Sequence, residues 1–432
     1  MAFVGFLFSH TISTHNMDTF STLLLLLILF SCVILSAAHN ITQIKSDEYI
    51  LLAFKSHITS DPSNILKNNW TSGTSFCTWI GVTCDSRRSR VTKLDLSDME
   101  LEGSIPQEIG NLSSLVYLDL SHNFFHGCIP QSIFEFVISR MYFIYTVILS
   151  GRLPKDICMH NNLQSLKLLN LSRNEMEGDI PSSLYQCPQL ESIDLSRNSF
   201  GGYVPTQIWN ITLLKVLDLS SNNLRGRLPK DICSHNNLQR LKLLSLRWNK
   251  LEGDIPLSLG QCTQLESIDL SSNNFGGNVP REFGNITQLK QLYLSWNNLK
   301  GGIPKEIVYL NNLEILDMSG NNLSGPFPRQ ILNITSLREL QLSFASLNGP
   351  IPSTIGNLSN LTELDLSSNK LNGLIPSTIG NLSNLRLLLL SSNKLNGELP
   401  FSMCNMTSLQ ILIFSNNSLE IFGHISSKCK SL

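Results

Sequence analysis

The residues of this chain that could do chemistry are few in kind. His122 and His126 stand four apart, an interval that on one helix face can hold a metal. Here they flank a strand end and a turn, so no metal site is expected. Asp119, Asp194, Asp218, Asp269, Asp317 and Asp365 recur at one place of a repeating pattern. They read as part of that pattern first, and as an acidic ladder for a partner second. The chain has no H-E-x-x-H, no G-x-S-x-G, no phosphate-binding glycine loop and no protein-kinase signature set. The expectation is a non-catalytic chain without cofactor or metal.

Recognition is a different chemistry, and for that the residues are present. Tyr117, Arg173, Arg197, Arg247, Trp248, Tyr293, Trp296, Glu339, Gln341 and Phe344 interrupt positions otherwise filled by Ser, Asp or small residues. Exposed aromatics and arginines are enriched at binding hot spots. These residues are expected on the solvent face of short strands stacked at about 4.8 Å. Arg247/Trp248, Tyr293/Trp296 and Gln341/Phe344 would then lie about two strands apart along one track, where an extended peptide could run.

The elements that must carry this track come from a repeat. The proline of an Ile-Pro-like pair recurs at Pro106, Pro130, Pro154, Pro181, Pro205, Pro229, Pro256, Pro280, Pro304, Pro328, Pro352, Pro376 and Pro400. Upstream of each lies a version of L-x-L-S-x-N-x-L-x-G-x-I-P, as in Leu364 to Pro376. A last copy holds Leu412, Phe414, Asn417 and Leu419 and loses the Gly-x-Ile-Pro, making fourteen copies. Alternating leucines point inward from a short strand. The asparagine satisfies backbone groups at the bend, glycine permits the turn and proline fixes φ. Stacked units bury one leucine core, which makes an α/β repeat solenoid with a concave parallel sheet. Met99, Val147 and Ala345 replace the asparagine, and Tyr142 and Ile144 stand for strand leucines in the weakest, third copy. Gly151 to Pro205 resembles Gly226 to Pro280 at an offset of 75 residues, a tandem duplication whose longer units should bulge on the convex side.

Charge excludes some partners. Lys and Arg number 32 against 33 Asp and Glu, so no basic excess favours nucleic acid. Leu23 to Leu35, followed by Ser36-Ala37-Ala38, reads as a secretory signal over residues 1–38, with a conventional leader if translation starts at Met17. The alternative is an uncleaved signal anchor. No later segment offers the ~20 apolar residues of a membrane span.

Asp47 to Cys84 contains Leu51-Leu52-Ala53-Phe54-Lys55, then Trp70, then Cys77-Thr78-Trp79-Ile80-Gly81-Val82-Thr83-Cys84. This block, set at 39–90, resembles the N-terminal cap of plant leucine-rich-repeat receptors. With the repeats of 91–419, the chain resembles the ectodomain of receptor kinases related to the flagellin- and elongation-factor-sensing receptors. The resemblance implies a right-handed superhelix with a 3-10 or irregular convex side and a helical cap. It also implies a Cys77–Cys84 disulfide, a peptide or protein ligand and a co-receptor kinase. The family's end cap, membrane helix and kinase do not follow in the tail 420–432, so a truncated ectodomain is expected.

Cys158, Cys187, Cys233 and Cys262 occupy equivalent places in the duplication. They read first as small buried hydrophobes, with disulfides between neighbours as the alternative. Cys404 with Cys429 could close a remnant cap, and Cys128 has no evident partner. Asn-x-Ser/Thr sequons fall at Asn40, Asn69, Asn111, Asn210, Asn285, Asn322, Asn333, Asn357, Asn360, Asn381, Asn405 and Asn416, with a further one at Asn170 inside a strand. Glycans on the convex and lateral sides would leave the concave face open. The function expected is ligand capture in defence or development at the cell surface. The alternatives are a secreted inhibitor similar to the polygalacturonase-inhibiting proteins, or a gene fragment with no role of its own.

Overall fold

A strand of three residues is marginal alone, so these strands persist by stacking. The computed structural model describes residues 46–420, except 88, 136–140, 145–147, 160–162, 164 and 235–236. The expected leader, Asn40, Val147, Cys429 and the tail beyond Glu420 lie outside the described residues. The chain divides into two units, Met1–Tyr49 and Ile50–Leu432. Of the first, only the opening of helix Asp47–Ser56 is described. The second carries everything that follows.

Its main sheet has fifteen strands in chain order. Val82–Cys84 pairs antiparallel with Val91–Asp95, and from there every strand is parallel to its neighbours through Ile411–Ile413. Register is fixed by the inward leucines, with Leu217 opposite Leu244 and Leu292 opposite Leu316. The weak third copy still stacks: Met141–Phe143 pairs with Tyr117–Asp119 on one side and Leu168–Asn170 on the other.

Asparagines bind successive coils together. Asn222 Nδ2 donates to the carbonyls of Leu195 (3.0 Å), Leu219 (3.1 Å) and Ser220 (3.1 Å), and its Oδ1 accepts from Phe200 N at 3.0 Å. Asn273, Asn297 and Asn321 repeat the pattern. One side chain thus satisfies four backbone groups at a bend where water is excluded. Where Ala345 replaces the asparagine, Asn369 of the next coil takes on one extra bond. Its Oδ1 accepts from both Ala345 N (3.2 Å) and Leu347 N (3.0 Å).

On the convex side a five-residue 3-10 turn follows most of the pattern prolines, as in Thr206–Asn210 after Pro205. Beside it, short parallel strands such as Glu175–Asp179 and Ser199–Gly201 form smaller secondary sheets. The first coil is covered by the cap. There Phe54, Leu66, Trp70 and Trp79 are buried, Trp70 stacks on Trp79 at 5.4 Å, and Trp70 Nε1 donates to Ile80 O at 3.0 Å. The expected Cys77–Cys84 disulfide is present.

The convex cysteines correct the first sequence reading. Cys158 bonds Cys187 and Cys233 bonds Cys262, so these are disulfides rather than buried thiols. Each bridge ties a 27-residue unit to the next one along, which brings the two Cα atoms to 5.4 Å. Cys404 is also disulfide-bonded, and Cys128 is exposed and free. Among the described residues no helix is long and apolar enough to cross a membrane.

Candidate functional site

The residues singled out by type do not lie on one track; they fall in parallel rows along the concave face. The residue just before each pattern asparagine leaves the strand with positive φ. Arg173, Arg197, Ser221, Trp248, Ser272, Trp296, Phe344, Ser368 and Ser392 all lie between 51° and 56°. Gly320 holds the same place at 64°. A left-handed backbone costs a non-glycine residue about 1–2 kcal/mol. The row holds it because its amides are spent on the next coil: Trp248 N donates to Ser271 O (3.0 Å) and Trp296 N to Ser319 O (2.8 Å). The side chains are thereby projected from a rigid edge. Trp248, Trp296 and Phe344 are 59%, 60% and 56% exposed, unusual for such large apolar groups on so regular a surface.

Large and small residues alternate along this row in the order Trp248, Ser272, Trp296, Gly320, Phe344. The Trp296 and Phe344 rings, two coils apart in sequence, meet at 6.2 Å between centroids. Gly320 makes that approach possible, since a Cβ there would stand 2.8 Å from Cδ2 of Trp296. Between Trp248 and Trp296 lies an open hollow of about 560 Å³, bordered by Asp218, Asp269, Tyr293 and Asp317. Arg173 and Arg197 are exposed in the same row, but Ser221 separates them from the aromatics.

Tyr293 and Gln341 belong to a second row, at the third strand position, which Asp194, Asp218, Asp269, Asp317 and Asp365 fill elsewhere. Here the aspartate has a structural task. Asp269 Oδ1 accepts from both Ser271 N (3.0 Å) and Ser271 Oγ (2.5 Å). Burial nevertheless pushes the Asp218 and Asp269 carboxyls above the ordinary aspartate value. Gln341 Nε2 donates to Glu363 at 3.5 Å, and Glu339 is raised by burial and by Glu363 and Asp317. Arg247 takes the place of a pattern serine, and its Nε reaches to 3.9 Å from Asp269. Tyr117 is engaged within the fold, donating to Asp119 at 3.0 Å beneath the Lys93 ammonium.

A third row, which sequence reasoning missed, lines the other edge of the sheet. Lys167, Glu191, Lys215, Lys242, Glu266, Lys290, Glu314 and Arg338 precede successive strands and pair across coils. Lys215–Glu191 lies at 2.6 Å, Lys242–Glu266 at 2.8 Å and Lys290–Glu266 at 2.9 Å. Hydrogen bonds from Lys242 and Lys290 lower the Glu266 carboxyl to about 2. The recurrence of a charged residue at this place of each repeat, with the sign alternating except between Lys215 and Lys242, was the available signal.

His122 is a left-handed strand-exit residue, and His126 lies on Phe124–Cys128. Among the described residues no three His, Cys, Asp or Glu side chains are grouped to hold a metal. Sequon residues Asn111, Asn210, Asn285, Asn333, Asn357, Asn381 and Asn405 each end a convex 3-10 turn and are exposed. Asn322 and Asn360 are exposed too, whereas Asn69 Oδ1 accepts from Ile80 N and Asn416 sits in the left-handed row. Asn170 Oδ1 is occupied by Ser172 N and Oγ.

Profiles described as leucine rich repeat match residues 90–112, 114–136, 156–200, 213–235, 240–262, 263–323 and 335–395, together more than half of the chain. The chain belongs to the leucine-rich-repeat family. The leucine rich repeat N-terminal domain profile matches residues 44–85, the cap of this repeat protein. Among curated proteins, the LRR receptor-like serine/threonine-protein kinase EFR of Arabidopsis thaliana is 42% identical over 89 residues, 21% of this chain and 9% of EFR. The chain spans no more than about a tenth of the length of such receptor kinases. Among solved structures, the plant peptide hormone receptor RGFR1, in complex with RGF2, superposes with a TM-score of 0.73 at 34% identity. That match covers 79% of this chain and 57% of RGFR1. The Arabidopsis receptor kinase HAESA, in complex with the peptide hormone IDA and the co-receptor SERK1, gives 0.57 at 27%, covering 86% and 74%. This leucine-rich-repeat chain therefore shares the fold of plant receptor ectodomains.

Proposed function

We propose that the chain is a non-catalytic, extracellular recognition module that captures a peptide or protein ligand on its concave face. The observation that carries this is the row of exposed Trp248, Trp296 and Phe344, held at fixed spacing by a hydrogen-bonded backbone. Pre-ordered aromatic side chains lose little entropy on binding, which is how a few residues come to dominate affinity. The convex disulfides agree with passage through an oxidising secretory compartment. Sequons at the convex turn ends put glycans away from the row. RGFR1 and HAESA bind peptide hormones, and HAESA does so with a co-receptor; by that likeness the ligand here is a peptide and signalling requires a second, anchored kinase. The role would be signal capture in defence or development.

The test is selection of random peptides against the purified chain, followed by affinity measurement on the Trp248→Ala/Trp296→Ala double variant. Loss of binding with unchanged secretion and melting supports the reading. Peptides that bind the double variant as well as the parent chain would sink it.

A further inference from the structure

The hollow between Trp248 and Trp296 gathers acidic side chains among serines, Gln291 and Tyr293. Asp218, Asp269 and Asp317 border it, and the one basic side chain there, Arg247, stands 3.9 Å from Asp269 and no nearer. Three carboxylates thus face a single cation across an open, partly desolvated space. The walls are indoles, whose faces attract cations electrostatically. In the left-handed row the residue between the two tryptophans is Ser272, small enough to leave the gap unfilled. One step further, between Trp296 and Phe344, the corresponding gap is closed by the contact of the two rings over Gly320. The row therefore offers two unlike subsites in succession, a slot bordered by carboxylates and then an apolar shelf.

Resting on the recognition reading above, we infer that the ligand is a basic peptide whose Lys or Arg side chain enters the slot between Trp248 and Trp296 over Asp269. A residue about three positions along rests an apolar side chain on the Trp296–Phe344 shelf. The spacing follows from dimensions. Two coils separate successive large residues of the row, about 10 Å at the usual strand spacing, and three residues of extended peptide span about the same distance. A cation in the slot also offsets what burial costs Asp218 and Asp269, because it favours their charged form. Arg247 sets the limit of the slot: a ligand cation shares Asp269 with it and draws on Asp218 and Asp317, which it does not bridge.

The probe is a displayed library of random twelve-residue peptides selected on the full chain, with the selected peptides re-measured on Trp296→Ala and Asp269→Asn. Asp269→Asn is a safe variant, because Asn170 already performs the same serine-holding task in an earlier coil. The expected result is a shared basic-x-x-apolar pattern, and a ten- to hundredfold loss of affinity, roughly the worth of one charge-assisted contact, in Asp269→Asn. Replacing the peptide's basic residue by Gln should cost about as much. Binders that need Trp296 but show no basic residue, or that ignore Asp269→Asn, would overturn this inference and leave the recognition reading standing. Absence of any binder dependent on the tryptophans would remove both.

Discussion

Trp296 lies against Phe344, 6.2 Å between ring centroids, across a glycine that leaves no side chain beneath them. The ring planes are tilted by 36°, and aromatic pairs at such a separation are worth about 0.5–1.5 kcal/mol beyond area burial. Gly320→Ser should break this pair. Serine is the residue other coils carry at this left-handed position, so the backbone cost is small, and the nearest atoms it meets are those of the indole. The expected outcome is a loss of about 1 kcal/mol with a change in near-ultraviolet circular dichroism. In a Trp296→Ala background the same substitution should be nearly neutral, and a double-mutant cycle checks it.

Asn297→Ala should destabilise far more than any surface change. Its amide serves the carbonyls of Leu270, Leu294 and Ser295, and its Oδ1 accepts from Phe275 N. Leaving several buried groups unpaired costs about 3 kcal/mol or more. Urea unfolding should show a lowered midpoint, and a midpoint unchanged from the parent would mean that water reaches the bend.

Reducing the convex bridges should destabilise the coils that they join. Cys158–Cys187 and Cys233–Cys262 each close a separation of 29 residues, a length for which about 3–4 kcal/mol of stabilisation is typical. Replacing Cys233 and Cys262 together by Ser should lower the melting temperature under oxidising conditions. Under reducing conditions the variant should melt close to the parent.

Acid should act in opposite directions on two rows. Glu266 has a folded-state value of about 2, below its usual 4.5, so its contribution is present above about 4.5 and is lost as pH falls toward 2. Asp269 is raised by burial, against the Ser271 hydrogen bonds and Arg247 and with Asp317 adding to the rise, so its charged form costs stability that is recovered as pH falls through its folded-state value. Asp269→Asn should therefore raise stability at neutral pH, and the gain should shrink on acidification. Glu266→Gln should lower stability at neutral pH and converge with the parent near pH 2. Melting curves across this range read both.

The leucines and the asparagine bends were legible because each is a one-residue choice repeated at a fixed interval, whereas the Cys77–Cys84 bridge followed from the resemblance of the cap. The alternation of Trp296, Gly320 and Phe344 was written at the same interval, yet only its large members stood out; the glycine gains meaning when the rings are seen to cross it. The convex bridges stood only as the second reading because their two halves lie 29 residues apart in a coil of 27, and stacking brings them side by side. The rows, too, needed the backbone. Arg247 and Trp248 are neighbours in sequence, but one falls where a pattern serine sits and the other in the left-handed row.

The asparagine spine also bears on how such a chain can grow. Each asparagine rung makes the same bonds to the coil before it and leaves the same groups open to the coil after it. A block inserted between two coils finds both of its ends already complementary to what it meets. Doubling the 75-residue segment at Gly151 therefore asks for no new interface, and the tandem copy carries its own bridge with it. Length in this architecture is a free variable for inheritance, while the few side chains on its inner rows are not.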